Sequence, residues 1–386
     1  MNSYVASGSL SASGNYQLLA KIRNSLSEVV AILKAPTDLT YTTQAQFDVH
    51  RIIETYVGHT IDIDMIVTTV ATNNAFGFTV EFGEEYGSPV PAEHYYGVVT
   101  GDMFGLNIAL SPREYNAYVM NDYLTGGATR QFLNKFKGTR KIFSTTKAFL
   151  YFLSAGFQDR YMVAPYDSSG NLIGTISQIN CSAGTGAVWY IPSGATNLNL
   201  VEQSEIFVGT AGSIIPANTS YYDVWLDQGG LSQASEKIRY SIIENCSKYP
   251  NYAIYFLGQY GNMEVWNFNR RSDNNFEIDK QDFKTPLGRF LSQSSYGYLD
   301  SDRQLTTYDT VVTNTVTLNS DILTQAELEF LKECVQSPIV YSLEDGVLIP
   351  VKITDSFFNQ KQKVNDKVFN LTITIQYSSN LELQRA

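Results

Sequence analysis

The stretch from Phe369 to Tyr377 places the tightest limit on what this chain can fold into. Phe369, Leu371, Ile373, Ile375 and Tyr377 alternate strictly with Asn370, Thr372, Thr374 and Gln376. A period of two is that of an extended strand with one buried and one wet face. Such a strand needs neighbours, because its backbone N–H and C=O groups must be paired wherever water is excluded. The rest of the sequence supplies them. Apolar runs at 18–22, 29–33, 61–71, 76–82, 147–153, 161–165, 174–179, 187–191, 205–208, 221–226, 238–243, 252–257, 263–268, 276–278 and 306–318 are separated by Gly, Ser and Asn turns.

Composition points the same way. Charged residues make up only 17% of the chain and hydrophobic residues 44%, with 26 Tyr and 21 Phe. That balance excludes disorder and favours strands over charged amphipathic helices. The expected fold is mainly β, a multi-domain β-sandwich or barrel architecture with a few short helices. At 386 residues the chain exceeds one ordinary core. The reading divides it into a flexible segment at 1–14, a β-domain with a helical insert at 15–105, a β-sandwich or barrel at 106–235, and a C-terminal β-domain with a docked helix at 236–386. The polar stretch 227–235, with Gly229 and Gly230, is the expected linker. No repeat of solenoid or propeller period is present.

Three helices are expected. Asp48 can cap a short one in which Val49, Ile52, Ile53 and Tyr56 share a face and Gly58 ends the turn. Ser111-Pro112-Arg113-Glu114 is a capping box with Pro at the first helical position, followed at helical spacing by Tyr115, Tyr118, Val119 and Tyr123. Thr324-Gln325-Ala326-Glu327 opens the third, whose Leu328, Leu331, Cys334 and Val335 form an apolar stripe that Ser337-Pro338 stops.

Catalytic constellations do not emerge. His50, His59 and His94 fall in no HExxH or His-x-His arrangement, and Cys181, Cys246 and Cys334 show no CxxC spacing, so the expectation is no metal, no cofactor and buried thiols. Ser154-Ala155-Gly156 and the 209–213 run are small-residue turns without a nucleophile elbow. Gly126-Gly127-Ala128-Thr129-Arg130 lacks the Lys-Ser/Thr of a phosphate cradle. Glu84, Glu85 and Asp355, carboxylates near aromatics, keep a glycosidase as the enzyme alternative. A net charge of -11 argues against phosphate tracking and therefore against nucleic acid as a direct ligand. Lys135, Lys137, Arg140 and Lys141 form the one basic cluster, a candidate interface in an acidic protein that associates with itself. The segment 1–14 lacks a signal-peptide pattern, and no stretch has the apolar length of a membrane span, which predicts synthesis in the cytoplasm without membrane insertion.

Two blocks carry a resemblance to a known group. Residues 252–268, Tyr-Ala-Ile-Tyr-Phe-Leu-Gly-Gln-Tyr-Gly-Asn-Met-Glu-Val-Trp-Asn-Phe, resemble a block of tail proteins from phages that infect Bacteroidota, with Gly258 and Asn262 where that block usually has Asn and a second Gly. The order of the helix from Leu323, the Ser337-Pro338 strand, the Pro350-Val351 strand and the long final strand resembles the C-terminal block of the same group. The resemblance spans about 222–377. It implies a structural ring, hub or distal-tail subunit, in siphophages or crAss-like phages. Its partners would be copies of itself and other virion tail proteins, its location the virion tail after synthesis in the bacterial host cytoplasm, and it would have no catalytic residues. A glycan-binding tail module and a polysaccharide-cleaving enzyme are the alternatives, since abundant aromatics can stack on sugars.

Overall fold

Alternation builds the second half of the chain as the sequence predicts. Thr372–Tyr377 runs antiparallel to Leu305–Asn319, with Ile373 opposite Leu318 and Ile375 opposite Val316, and all four are buried. The computed structural model describes residues 2–5, 17–36, 44–87, 89–98, 103–124, 129–154, 158–183, 188–227, 233–243, 248–285, 288–300, 303–354, 370–379 and 381–382. Phe369, Asp355, Cys246, the 126–128 part of the glycine run and most of 1–14 lie outside them. The protein is mainly β, sandwich-like and multi-sheet, and no sheet among the described residues closes into a barrel. Two compact units result, Met1–Ile243 with Gly258–Glu264, and Glu244–Leu257 with Val265–Ala386.

In the first unit a five-stranded sheet runs in the order Val29–Pro36, Gln17–Asn24, Ala75–Tyr86, Ala92–Val98, with Met103–Leu106 also pairing Ala75–Tyr86. Leu18, Ala20 and Ile22 share one face with Val80 and Phe82, under Phe47 and Ile53. Ile53 comes from the helix His50–Glu54, shorter than its spacing predicts because no side chain caps it. Asp48 instead accepts from the His50 N–H at 3.0 Å, and Tyr56 leaves the helical path to stack on Phe76 at 4.6 Å. Gly83 sits at a bulge, where a Cβ would run into the main chain of His94 and the ring of Tyr95.

A six-stranded sheet follows in the order Ile206–Val208, Ser177–Ala183, Gln158–Tyr166, Tyr221–Asp227, Ile238–Ile243, Arg140–Phe143, the last pair parallel. A three-stranded sheet holds Phe149–Leu153, Val188–Pro192 and Thr69–Val70. All five residues of Phe149–Leu153 are buried, which is why that run reads as continuous rather than alternating apolar sequence. Buried tyrosines tie the two sheets together. Tyr222 and Tyr240 stack at 5.2 Å; the Tyr222 hydroxyl donates to the Ser193 carbonyl at 2.7 Å, and the Tyr240 hydroxyl and Ser193 Oγ lie 2.8 Å apart. Burial raises both phenols, that of Tyr240 to about 12, so both remain donors at neutral pH.

Two expectations need correction in this unit, and one helix is additional. Of 61–71 only Thr69–Val70 becomes a strand, since Asp62 turns the chain by accepting from the Asp64 N–H at 3.0 Å. The capping box at Ser111 forms, but the helix ends at Ala117, and Tyr123 belongs to a separate turn, Asn121–Leu124. The short helix Ala195–Asn199 gave no advance signal beyond Gly194 at its start.

The second unit is one eight-stranded sheet, in the order Met263–Phe268, Tyr252–Leu257, Val340–Glu344, Val347–Ile353, Thr372–Tyr377, Leu305–Asn319, Asp273–Lys284, with Leu381–Glu382 also on Leu305–Asn319. The first two residues of Met263–Phe268 belong to the first unit. The helix Gln325–Gln336 carries the expected capping box, and its Phe330 packs on Phe256 and Trp266 at 5.4 and 6.1 Å. Arg289–Ser292 and Ser295–Gly297 form a small separate hairpin.

The tyrosine tie yields a test. Tyr222→Phe removes one donor from a buried carbonyl and is expected to cost about 1 kcal/mol. Tyr222→Ala, which also opens a cavity, is expected to cost about 3–5 kcal/mol. Urea denaturation followed by tyrosine fluorescence distinguishes the two; equal costs would mean that the hydroxyl, not the ring, carries the contact.

Candidate functional site

The four cations of the basic cluster have different fates. Lys135 donates to Glu114 at 3.0 Å and to Gln259 at 2.5 Å, and Lys137 pairs with Glu236 at 2.7 Å. Lys141 is partly buried on the strand Arg140–Phe143. Arg140 presents no charge at the surface. Its guanidinium grips the Glu264 carboxylate with both terminal nitrogens, Nη2 at 2.8 Å from Oε1, and the two side chains are 8% and 3% exposed. Burial alone would lower the Arg140 pKa, but the adjacent Glu264 charge outweighs it and the net shift is upward.

Glu264 ends the segment Gly258–Glu264, which the first unit holds at many points. Asn262 Nδ2 donates to Glu264 at 2.6 Å, the Ala109 N–H to the Gln259 carbonyl at 2.8 Å, and Asn74 Nδ2 to the Gly261 carbonyl. Tyr260 packs against Tyr123 and Tyr118 with ring centroids 5.8 and 6.5 Å apart. Gly261 has φ +74, and a Cβ there would strike the Asn107 main chain, so glycine is required. Lys135 and Arg140 thus act on this segment, and their role within the unit is structural.

The remaining sequence candidates do not converge. Glu84 is buried and accepts from the Tyr96 hydroxyl at 2.7 Å, while neighbouring Glu85 binds Lys34 at 2.8 Å. Adjacent strand residues point to opposite faces, so these carboxylates cannot flank one bond. Arg130 donates from Nε to the Tyr123 carbonyl at 3.1 Å and also to the Leu153 carbonyl, which turns it inward. Cys181 and Cys334 are buried thiols outside any disulfide, and burial pushes the Cys334 pKa up. Among the described residues, no three His, Cys, Asp or Glu side chains gather as a metal site, and no helix is long and apolar enough to cross a membrane.

Exposed apolar side chains are concentrated elsewhere, on and beside the ribbon of Asp273–Lys284 and Leu305–Asn319. The two strands pair from Asp273–Thr317 to Lys284–Leu305. Further described strands join Leu305–Asn319 only at Val311–Val312 and from Thr315 to Asn319, so the ribbon is two-stranded beyond that point. Phe276 stands opposite Asn314 and Ile278 opposite Val312, on the sheet face that also carries Val316 and Ile375. Through the registers Ile375–Ile353, Val351–Val340 and Val340–Phe256 this is the face that the helix covers at Phe256. On the ribbon Val312 and Val316 are buried on this face, whereas Phe276 is 59% and Ile278 56% exposed. Nine large apolar side chains between Asp273 and Tyr308 are exposed, Phe283, Phe290, Tyr296 and Tyr308 among them. A two-stranded ribbon in water is marginal by itself, and apolar surface of this extent marks an interaction site. The sequence predicts 306–318 as a strand but only 276–278 of its partner Asp273–Lys284, because Asp279, Lys280, Gln281 and Asp282 are poor strand formers.

An open depression of about 670 Å³ is lined by Pro250, Tyr252, Ser272, Asp273, Asn274, Asn275 and Thr317. No family model, curated protein or solved structure matches the chain.

Two outcomes follow. Arg140→Met leaves Glu264 buried without its cation and is expected to destabilise by about 3–5 kcal/mol, whereas adding Glu264→Leu should recover more than half of that loss in chemical denaturation. The second concerns Glu114, whose carboxyl the Ser111 hydroxyl and N–H, with Lys135 and Gln259, hold down at about 2. A folded-state pKa below the ordinary 4.5 means that the stabilisation is complete above pH 4.5 and fades as pH falls toward 2. Because Glu114 is partly exposed, the effect is small. The melting-temperature gap between wild type and Glu114→Gln should be widest at neutral pH and close across that window.

Proposed function

We propose that this protein is a non-catalytic structural subunit of a phage tail, assembling into a ring or hub through contacts between β-sheets. The observation that carries the reading is the ribbon of Asp273–Lys284 and Leu305–Asn319, on which Phe276, Ile278, Phe283, Leu305 and Tyr308 are exposed. Surface of that kind is stabilised when a neighbour covers it, and a subunit of a closed assembly always has a neighbour. The resemblance of 252–268 and of the C-terminal block to tail proteins of Bacteroidota phages supports the same reading, with copies of the chain and other tail proteins as partners and the virion tail as its location. Residue chemistry agrees, since Glu84, Glu85 and Arg130 are engaged in internal contacts.

A second reading rests on the depression beside Tyr252. An aromatic ring with Asp273, Asn274 and Asn275 offers stacking and hydrogen bonds suited to sugar hydroxyls, so a glycan-binding tail module is the alternative. Mass photometry with negative-stain microscopy of the purified chain separates the two. The first reading expects discrete closed oligomers at micromolar concentration; a persistent monomer that binds capsule polysaccharide, and loses binding on Tyr252→Ala, would replace it with the second.

A further inference from the structure

The depression beside Tyr252 lies where the chain crosses from one end of the sheet order to the other. In the second unit Met263–Phe268 is at one edge and Asp273–Lys284 at the other, and residues 269–272 join them directly. The depression is lined from the start of Tyr252–Leu257 and the start of Asp273–Lys284. Asp273 pairs with Thr317 and Asn275 with Thr315, so Asp273, Asn275 and Thr317 direct their side chains to one face and Asn274 alternates to the other. Polar side chains one or two residues away are engaged within the chain. Asn251 Nδ2 donates to Asn267 at 3.1 Å, Asn319 Nδ2 to the Arg271 carbonyl at 2.8 Å, and Thr315 Oγ1 to the Asn275 carbonyl at 3.4 Å. The lining side chains of Tyr252, Ser272, Asn274, Asn275 and Thr317 make no hydrogen bond among the described residues.

That lining suits one class of ligand. Hydroxyls and carboxamides both donate and accept, as the hydroxyls of a sugar do. The one carboxylate of the lining, Asp273, takes both hydrogen bonds of Arg271 on Oδ1, at 3.0 and 2.9 Å, which leaves Oδ2 to accept from a ligand. Both neighbouring arginines are already matched, Arg271 to Asp273 and Arg270 to Asp321 at 2.6 Å. Glu277, on the same face as Asp273 and Asn275, adds a further negative charge. We propose that the depression is a saccharide site selective for neutral over acidic sugars. Asp273 Oδ2 accepts from the sugar hydroxyls, Asn274 and Asn275 supply the amide contacts, and the Tyr252 ring is the apolar platform. At about 670 Å³ the depression has the size for about two or three sugar rings. A uronate or sialate carboxylate brought there gives up water, meets Asp273 and gains no free cation, and that cost sets the selectivity. This inference rests on the glycan reading of the depression and names the class of sugar; it does not depend on how the chain assembles.

Saturation-transfer NMR and titration of the full chain test it, with maltotriose, mannotriose and galactotriose as neutral probes and trigalacturonate and sialyllactose as acidic ones. At least one neutral probe is expected to bind with a dissociation constant of about 1 mM, at least tenfold more tightly than either acidic one. Tyr252→Ala is expected to weaken that binding at least tenfold, and Asn275→Ala, at an exposed position, about threefold. Asp273→Asn keeps the shape, removes the charge and releases Arg271. It is expected to weaken the neutral probe about fivefold and to strengthen the acidic ones, a reversal that loss of folding cannot produce. Binding of the acidic probes alone overturns the selectivity while the glycan reading stands. Neutral binding that Tyr252→Ala and Asp273→Asn leave unchanged overturns the assignment to this depression. Binding of no probe at ten times that concentration removes the glycan reading as well, and mass photometry reads assembly separately in every case.

Discussion

The Arg140–Glu264 pair is the interaction around which the first unit is organised. Arg140 begins an edge strand that runs parallel to Ile238–Ile243, and Glu264 closes a segment remote from it in sequence. A buried ion pair is poor at adding net stability, because desolvation cancels most of the attraction. What it does well is penalise every arrangement that leaves either charge alone. Asn262, Gly261, Tyr260 and Gln259 then find their partners as a consequence, since the segment that carries Glu264 has one seat in which its carboxylate is matched.

Surface and interior follow opposite rules in this molecule. Inside, the hydroxyls of Tyr222 and Tyr240, and the side chains of Arg140 and Glu264, are each matched to a partner. On the ribbon, Phe276 and Ile278 have no comparable cover among the described residues, although they occupy the same sheet face that a helix seals at Phe256. The contrast is what makes the ribbon informative: a chain that satisfies a buried carboxylate so fully has left Phe276 and Ile278 exposed in a place where a neighbour can reach them.

Much of the fold was legible in residue order. Both capping boxes, at Ser111 and Thr324, form as read, and Leu371, Ile373 and Ile375 are buried in alternation with more exposed Thr372, Thr374 and Gln376. Local hydrogen bonding and a period of two are short-range properties, so sequence reports them directly. The strand Asp273–Lys284 was mostly invisible because its charged residues have little strand propensity; pairing with Leu305–Asn319 imposes the extended form on them. The basic cluster was legible as a cluster and not as four different environments, since partners such as Glu236, Gln259 and Glu264 lie about 100 residues or more away.

Sequence by itself determined that this chain is a β-protein, where its capped helices begin, and that its histidines and cysteines form no motif. Those follow from spacing and composition, which need no knowledge of distant contacts. Only the tertiary structure decided which charges are interior and which apolar residues stay outside. Arg140 and Lys137 look alike in the sequence, and so do Ile278 and Ile375. Burial depends on which strands become neighbours, and that is settled by long-range pairing rather than by any residue's own chemistry.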